Sequence, residues 1–290
     1  MQYNTRLQRR WRFVLEVGVA ALAGAIVTAA YNSKARVAGL LARLRQRPPS
    51  ARATYDAAEL AGLPAPVALY FRTVLRDGQP IIRHAWLTQR GEFLVRAEPP
   101  VWRPFSATEA MTVGGFVWNA RIRVLPGVAI HVCDSFVAGA GSMRASAMGV
   151  FPLMHVEGTP EIATGALLRY LAEAVWMPTA LLPSQGMTWI ALDDASARAT
   201  ITGGATTVSL DFHFGADGLV ERVCTDARPR EAGGEFVRTP WQGRFGQYED
   251  VQGIRIPLRG DVEWLLPEGP QPYWRGSVTA AAFEYEVQGS

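Results

Sequence analysis

The sequence has little of the chemistry that marks metal sites or disulfide-rich proteins. Only two cysteines, Cys133 and Cys224, and four histidines occur in 290 residues. One disulfide is possible, but a chain of this length needs none, so we expect two unpaired thiols facing the core. His131 and Cys133 share a strand face and offer at most two ligands, where zinc needs three or four. The sequence therefore predicts no metal and no cofactor.

Motifs of common enzyme classes are also missing. No Gly-x-Ser-x-Gly segment occurs, so the nucleophile elbow of many serine hydrolases is not predicted. The run 139–142 is rich in glycine, but it lacks the later glycine of a dinucleotide loop and the lysine of a phosphate-binding loop. An enzyme is neither predicted nor excluded by these absences.

Lysine is almost absent, and the positive charge is unevenly distributed. Lys34 is the only lysine, and residues 1–52 hold ten basic side chains against the single acid Glu16. The remaining 238 residues hold 19 basic and 25 acidic side chains, so the body carries a net charge of −6. Because the basic excess is confined to one end, we predict no nucleic-acid binding. Residues 1–52 are interpreted as a basic attachment segment and residues 53–290 as a globular domain.

Long apolar runs are limited to one, and it is short. Phe13 to Tyr31 contains one charge, Glu16, and an uncharged core of 15 residues, whereas a bilayer span needs about 20. Trp11 and Tyr31 bracket the run as interfacial aromatic residues do. A single-pass membrane anchor is the favoured interpretation, with a cleaved secretory signal or a buried helix as alternatives.

A basic amphipathic helix is predicted directly after this run. Val37, Leu40, Leu41 and Leu44 have the spacing of one helical face, and basic residues occupy the rest. We favour contact of this helix with anionic lipid headgroups over packing on the body. The protein is thus expected to be membrane-associated with an extracytoplasmic body, although arginines on both sides of the run leave the orientation open.

The body beyond Arg83 has the two-residue period of antiparallel strands. Apolar and polar residues alternate in 116–124, 206–214 and 254–266, and glycine-containing turns separate such segments. We predict a mainly β fold with about ten to twelve strands, by these turn and alternation criteria. The expected shape is a large curved antiparallel sheet or half-open barrel with covering helices, plus the N-terminal apolar helix.

One long helix interrupts the strands and supplies the first candidate site residues. The apolar spacing predicts a helix over 161–175, ended by Pro178. Its second face carries Arg169, Glu173, Trp176 and Met177, which is typical of a lid or contact surface. Arg169 and Glu173 have the spacing of an i, i+4 pair, which could also be an ordinary surface ion pair.

Two acids break the alternation of their strands. Glu109 and Asp134 share faces with apolar residues, so each must be paired, hydrogen-bonded or protonated if those faces point inward. Either a structural network, with Arg228 or Arg121, or an acid–base pair in a pocket would satisfy this condition.

Several segments together carry a family resemblance. They are 169–183 (RYLAEAVWMPTALLP), 116–120 (FVWNA), 240–243 (PWQG) and 272–274 (PYW). In these segments the chain, from about Leu63 to its end, resembles a bacterial family known only as a domain of unknown function. The resemblance implies an N-terminal membrane segment in many members and no established activity. The expected shape is also similar to that of periplasmic lipoprotein carriers, which wrap a half-open sheet around acyl chains under helical lids.

Three functional hypotheses follow from these features. The leading one is a membrane-tethered β-domain that binds an apolar or lipid-like ligand between sheet and helix, because tryptophans suit large apolar walls. Its expected ligand-binding residues are Trp118, Arg169, Glu173, Trp176, Met177 and Trp241. The second is a hydrolase-type enzyme with the catalytic candidates Glu173, Asp134, Glu109 and Arg228. The third is a scaffold whose exposed Trp176 and Met177 dock a partner protein.

Overall fold

The computed structural model describes residues 24, 26–48, 50 and 52–287, and their core is one antiparallel sheet of thirteen strands. The strands are β1 (Ile82–Arg96), β2 (Val101–Thr112), β3 (Gly115–Leu125), β4 (Val128–Val137), β5 (Ala140–Ala147), β6 (Phe151–Glu157), β7 (Thr188–Asp193), β8 (Ser196–Gly203), β9 (Thr206–Phe214), β10 (Val220–Ala232), β11 (Glu235–Val251), β12 (Ile254–Leu266) and β13 (Gly269–Tyr285). Three helices accompany them: α1 (26–45), α2 (Ala65–Val74) and α3 (Pro160–Glu173).

The sheet is two meanders joined by the first and last strands. Its order is β6-β5-β4-β3-β2-β1-β13-β12-β11-β10-β9-β8-β7, so every strand pairs with a sequence neighbour except where β1 pairs with β13. The edge strands β6 and β7 are connected through α3. The mainly β prediction is confirmed, and strands β3, β9 and β12 coincide closely with the three segments of strict alternation.

The sheet curves until two of its hairpin turns touch. A Cβ atom on Gly139, in the β4–β5 turn, would lie 2.9 Å from the Cα of Gly204 in the β8–β9 turn. Real Cβ atoms do not approach a backbone this closely, and both residues have positive φ angles, +80° and +59°. Glycine at both positions therefore allows the two arms of the sheet to meet and gives a curved, open sheet.

Helix α3 covers the concave face of the sheet. The Thr159 hydroxyl accepts a hydrogen bond from the backbone N–H of Ile162, and Pro160 occupies the first turn, as expected at a helix start. Leu167, Leu168 and Leu171 are buried against the strands. The predicted helix over 161–175 is confirmed as far as residue 173, after which the chain continues as 3-10 turns. These turns are Ala174–Trp176, Pro178–Leu181 and Pro183–Gln185.

The segment before β1 closes another part of the same core. A 3-10 turn, Ala57–Leu60, is capped by the Asp56 side chain and is followed by α2. Tyr70 and Phe71 of α2 are fully buried.

Helix α1 packs on the opposite, convex face of the sheet. Leu44 is buried beside Ala110, Val117 and Val137, and Leu40 packs against the same group, as does Leu41. The interpretation that this apolar face lies on a membrane surface is therefore corrected: the strands of the body bury it, because they offer an apolar surface of matching size. Within the described residues, no helix is long and apolar enough to cross a membrane. Most of the predicted anchor, residues 13–23, lies outside the described residues.

Both cysteines are free thiols and half-buried. Cys133 packs against the smaller apolar cluster between the sheet and α1, beside Leu40 and Leu41. Strand alternation explains this placement, because Asp134, its neighbour in sequence, points to the concave face. Cys224 lies 3.4 Å from the ring nitrogen Nε2 of His213. Among the described residues, no three His, Cys, Asp or Glu side chains lie together as a metal site would require.

Candidate functional site

A cavity of about 350 Å³ lies between the concave face of the sheet and the C-terminal end of α3. This volume is at the lower end of the range for small-molecule sites, about 300–1,000 Å³. Most of its wall is apolar, and its rim includes the partly exposed Val95 and Met154. The apolar and aromatic lining is Phe93, Leu94, Val95, Trp118, Ile122, Ile130, Val132, Met143, Ala145, Met154, Ala172, Trp176, Trp241, Phe245, Val262, Tyr273 and Trp274.

Strand register places these side chains next to one another. Phe93 of β1 is paired with Trp274 of β13, and Ile122 of β3 is paired with Ile130 of β4. Directly paired residues of antiparallel strands point to the same face, so each pair adds two adjoining pieces of wall.

Trp176 and Trp241, two tryptophans of the wall, have their polar atoms occupied by the protein. Trp176 Nε1 donates to the carbonyl oxygen of Pro257 at 2.9 Å. Trp241 Nε1 donates to the hydroxyl of Tyr273, also at 2.9 Å. Because these N–H groups are satisfied, the rings present apolar surface to the cavity.

A charged group lies where α3 meets the strands, and we call Arg169, Glu109, Asp134 and Glu173 the Arg169 cluster. Arg169 Nη1 donates to Asp134 at 2.8 Å, and its Nε donates to Glu173 at 3.0 Å. Its Nη2 is 4.0 Å from a carboxylate oxygen of Glu109. The guanidinium also stacks on Trp118, 4.7 Å from the ring centroid. Arg169 thereby connects the covering helix to β2, β3 and β4.

Glu109 is the fully buried member of the Arg169 cluster. Gln89 Nε2 donates to one of its oxygens at 2.8 Å, and Gln89 in turn accepts from Trp118 Nε1 at 2.8 Å. The second carboxyl oxygen of Glu109 has no hydrogen-bond partner in the described structure. Burial raises the pKa of Glu109 well above its usual value, and the nearby charge of Glu173 raises it further. Glu109 is therefore a protonated, neutral acid over a pH range where exposed glutamates are ionised.

Arg169 has the opposite electrostatic environment. Burial alone would lower the pKa of its guanidinium, but the charges of Glu173 and Asp134 raise that pKa above its usual value. A largely buried cation with carboxylate partners on β4 and on its own helix is a satisfied ion network.

Arg228 is the second cation of the cavity wall. Its guanidinium lies 4.6 Å from the ring centroid of Trp241 and 5.9 Å from that of Trp264. Unlike Arg169, which pairs with Asp134, it forms no ion pair within 4.0 Å among the described residues. Its Nη1 atom is buried and has no hydrogen-bond partner.

The candidate residues from the sequence fall around this one cavity. Trp118, Asp134, Arg169, Glu173, Trp176, Arg228 and Trp241 line it, and Glu109 lies behind the wall in contact with the Arg169 cluster. Met177 does not line the cavity and is fully buried elsewhere in the core. The partner of the two strand acids is Arg169, not Arg228 or Arg121. Trp176 is only 2% exposed, so the exposed docking face of the scaffold hypothesis is wrong.

Gln89, Phe93 and Tyr273 belong to this site but were not predicted from the sequence. Gln89 had a usable signal, because it shares a strand face with the apolar residues Ala85 and Leu87 and is itself buried. Phe93 and Tyr273 gave no such signal, since aromatic residues occur in the core of any β protein.

A curved antiparallel sheet with an apolar cavity on its concave face, covered by one helix, defines the class as a half-open β-barrel protein with an internal cavity. Residues 61–283 match the model described as "Family of unknown function (DUF6920)". The chain belongs to this family, and the resemblance seen in the sequence is confirmed. No curated protein matches the chain.

Solved structures that are similar to the chain include the following three. One is a DUF1329 family protein from Desulfovibrio piger, 12% identical over 78% of this chain and 94% of that one, with a TM-score of 0.43. Another is a putative outer membrane lipoprotein-sorting protein domain from Vibrio parahaemolyticus, 9% identical over 71% and 87%, with a TM-score of 0.40. The third is a LolA superfamily protein from Nitrosomonas europaea, 8% identical over 76% and 92%, with a TM-score of 0.41.

Proposed function

We propose that this protein binds an apolar or lipid-like ligand in the cavity between the sheet and α3. The observation that carries the proposal is the cavity itself, whose wall is apolar and aromatic over most of its area. An apolar ligand that leaves water for such a wall gains about 25 cal/mol for each Å² of apolar surface buried. In this proposal the residues that bind the ligand are Trp118, Trp176 and Trp241, with Arg169 and Glu173 at one end of the cavity.

The proposal is tested by what accompanies the purified full-length protein. Native mass spectrometry should detect bound lipid, and Ala145→Leu should reduce the bound fraction because the larger side chain fills part of the cavity. Ala280→Leu is the matched control, since Ala280 is exposed on β13 outside the cavity. The absence of any bound lipid, or an equal loss in both variants, would count against the proposal.

A second candidate function is acid–base catalysis. The convergence of Glu109, Asp134 and Glu173 favours it, together with the raised pKa of Glu109, because clustered carboxyls with a perturbed acid among them are common at catalytic sites. Catalysis is the weaker candidate, because Glu109 does not line the cavity and because the carboxylates of Asp134 and Glu173 are both paired with Arg169. Glu173→Gln would abolish turnover of a lipid ester without changing the melting temperature if the candidate is right.

We also propose that the domain with the ligand site is tethered to a membrane. Residues 13–31 form the tether in this proposal, and the body lies on the extracytoplasmic side of the membrane. Ile26, Val27 and Tyr31, in the described part of that run, are exposed on α1 and so remain free for apolar contacts. Leu44, further along the same helix, is held by the body.

A further inference from the structure

We infer that Arg228 binds the anionic headgroup of an amphiphilic ligand whose chain occupies the cavity. This inference rests on the proposed function, and it specifies the class of ligand: a lipid-like molecule with a carboxylate or phosphate group, rather than a neutral one.

A β-bulge directs Arg228 into the cavity. On β10 the pairing with β11 passes from Thr225↔Trp241 to Arg228↔Thr239. Three steps along β10 thus match two steps along β11, so β10 contains one extra residue. In a regular strand Arg228 would point to the face opposite Thr225, but the extra residue turns it to the face that carries Trp241. Bulges of this kind are frequent next to functional sites, where they redirect a side chain.

The environment of Arg228 leaves its hydrogen-bonding capacity unused. A guanidinium carries five N–H donors, and no hydrogen bond from Arg228 to another described residue is present. A buried donor without a partner is unfavourable, so the site is electrostatically incomplete.

The other charged groups of the cavity do not pair with Arg228. Asp261 also lines the cavity, but its nearest cation is Arg244, at 3.8 Å. Asp134 and Glu173 are both held by Arg169. An external anion would supply the missing partner, since arginine binds carboxylates and phosphates through two parallel hydrogen bonds.

The aromatic rings beside Arg228 hold its guanidinium in place and leave its N–H groups available to a headgroup. Trp241 and Trp264 hold Arg228 by cation–π contact without using its N–H donors. The remainder of the wall beside Arg228 is apolar and suits a hydrocarbon chain. A cation at one point of an apolar cavity therefore has the polarity of an amphiphile with an anionic head.

Three probes that share one chain test the inference: dodecanoate, dodecyl phosphate and dodecanol. Binding to the full-length protein is followed by tryptophan fluorescence. We expect at least one of the two anions to bind about tenfold or more tightly than dodecanol, which corresponds to about 1.4 kcal/mol. Preference for dodecyl phosphate would identify a phosphate headgroup, and preference for dodecanoate would identify a fatty acid.

Substitutions assign the preference to Arg228. Arg228→Gln should bring the ratio of anion to dodecanol affinity close to one, and Arg228→Lys should retain part of it, because lysine keeps the charge but not the two-pronged geometry. Arg238→Gln removes an exposed charge from the neighbouring strand β11 and should leave the ratio unchanged.

The outcomes separate this inference from the proposed function. Equal binding of all three probes to the natural protein, or an unchanged ratio in Arg228→Gln, would overturn the headgroup assignment and leave the apolar site standing. Binding of none of the probes would overturn both. If Arg228→Gln does not fold, as judged by its melting temperature, the ratios for the natural protein and for Arg228→Lys decide the question.

Discussion

Two arginines of the cavity stack on tryptophans, and they differ in what else they contact. Arg169 is paired with carboxylates from its own helix and from β4, whereas Arg228 contacts Trp241 and Trp264 and pairs with no carboxylate among the described residues. The contact between Arg169 and Glu173 could be predicted from the sequence, because Glu173 lies one helical turn from Arg169. The contact between Arg169 and Asp134 could not, because Asp134 is 35 residues away and the contact depends on how α3 crosses the sheet.

Glu109 gives a prediction at the residue scale. Its raised pKa means that the folded protein holds a proton that the unfolded chain releases near the ordinary value of 4.5. Stability from this group is therefore fully present below that value and is lost as the pH rises through the folded-state pKa. Glu109→Gln keeps a neutral group in place, so its free energy of unfolding should lack this decline as the pH rises above 4.5. Urea denaturation at a series of pH values measures the difference between the two proteins.

The control for this comparison is Glu92→Gln. Glu92 lies on β1, is 44% exposed and pairs with Arg275 at the surface. We expect its removal to leave the pH dependence of stability as it is in the natural protein, because exposed ion pairs contribute about 0–1 kcal/mol. A decline that survives in Glu109→Gln would show that other groups cause it. The histidines His84, His131 and His213, whose pKa values burial lowers, act in the opposite direction and are common to all three proteins.

At the scale of elements, regular strands could be predicted and their exceptions could not. β9 has a buried Val208, Leu210, Phe212 and Phe214 between polar residues, and this alternation is visible in the sequence. β5 consists mainly of small and polar residues and β6 is largely exposed, so neither presents a clear pattern. For this reason the thirteen strands of the described sheet exceed the predicted ten to twelve. The bulge in β10 was also missed, because its register depends on pairing with β11.

Helix α3 gives the prediction at this scale. Asp134 fastens α3 to β4 through Arg169, so Asp134→Asn should weaken a charge-assisted hydrogen bond that contributes about 1.5–3 kcal/mol. Hydrogen exchange should then become faster in 160–173 and in the following 3-10 turns, while β11–β13 keep their protection. Mass spectrometry of exchanged peptides locates the change.

Asp261→Asn is the matched control for the helix. Asp261 lines the same cavity, pairs with Arg244 on the sheet and forms no ion pair with the described residues of α3. Its replacement should leave exchange in α3 unchanged. Faster exchange of α3 in this variant, or unchanged exchange in Asp134→Asn, would mean that the Arg169 cluster does not hold the helix in place.

At the scale of the whole molecule, α1 contacts the body with one end only. Periodicity predicted the apolar face of this helix but not its partner, because a sheet and a membrane surface both accept leucines on a basic helix. The body packs against Leu40, Leu41 and Leu44 of α1. A cation–π contact between Arg45 and Trp86 adds to this attachment. Further towards the N-terminus the apolar residues Val27 and Tyr31 stay exposed.

This division of α1 predicts how the full chain and a shortened chain will fractionate. The full chain should remain with membranes after an alkaline carbonate wash, and a chain that begins at Asn32 should be soluble with an unchanged melting temperature, because every leucine that docks α1 is retained. Release of the full chain by the wash, or membrane retention of the shortened one, would contradict the proposed tether. A C-terminal reporter that is active only outside the cytoplasm should be active on the full chain, since the body is proposed to be extracytoplasmic. A silent reporter on a chain that still withstands the wash would reverse the orientation and keep the tether, and the proposed amphiphile would then be drawn from the inner side of that membrane.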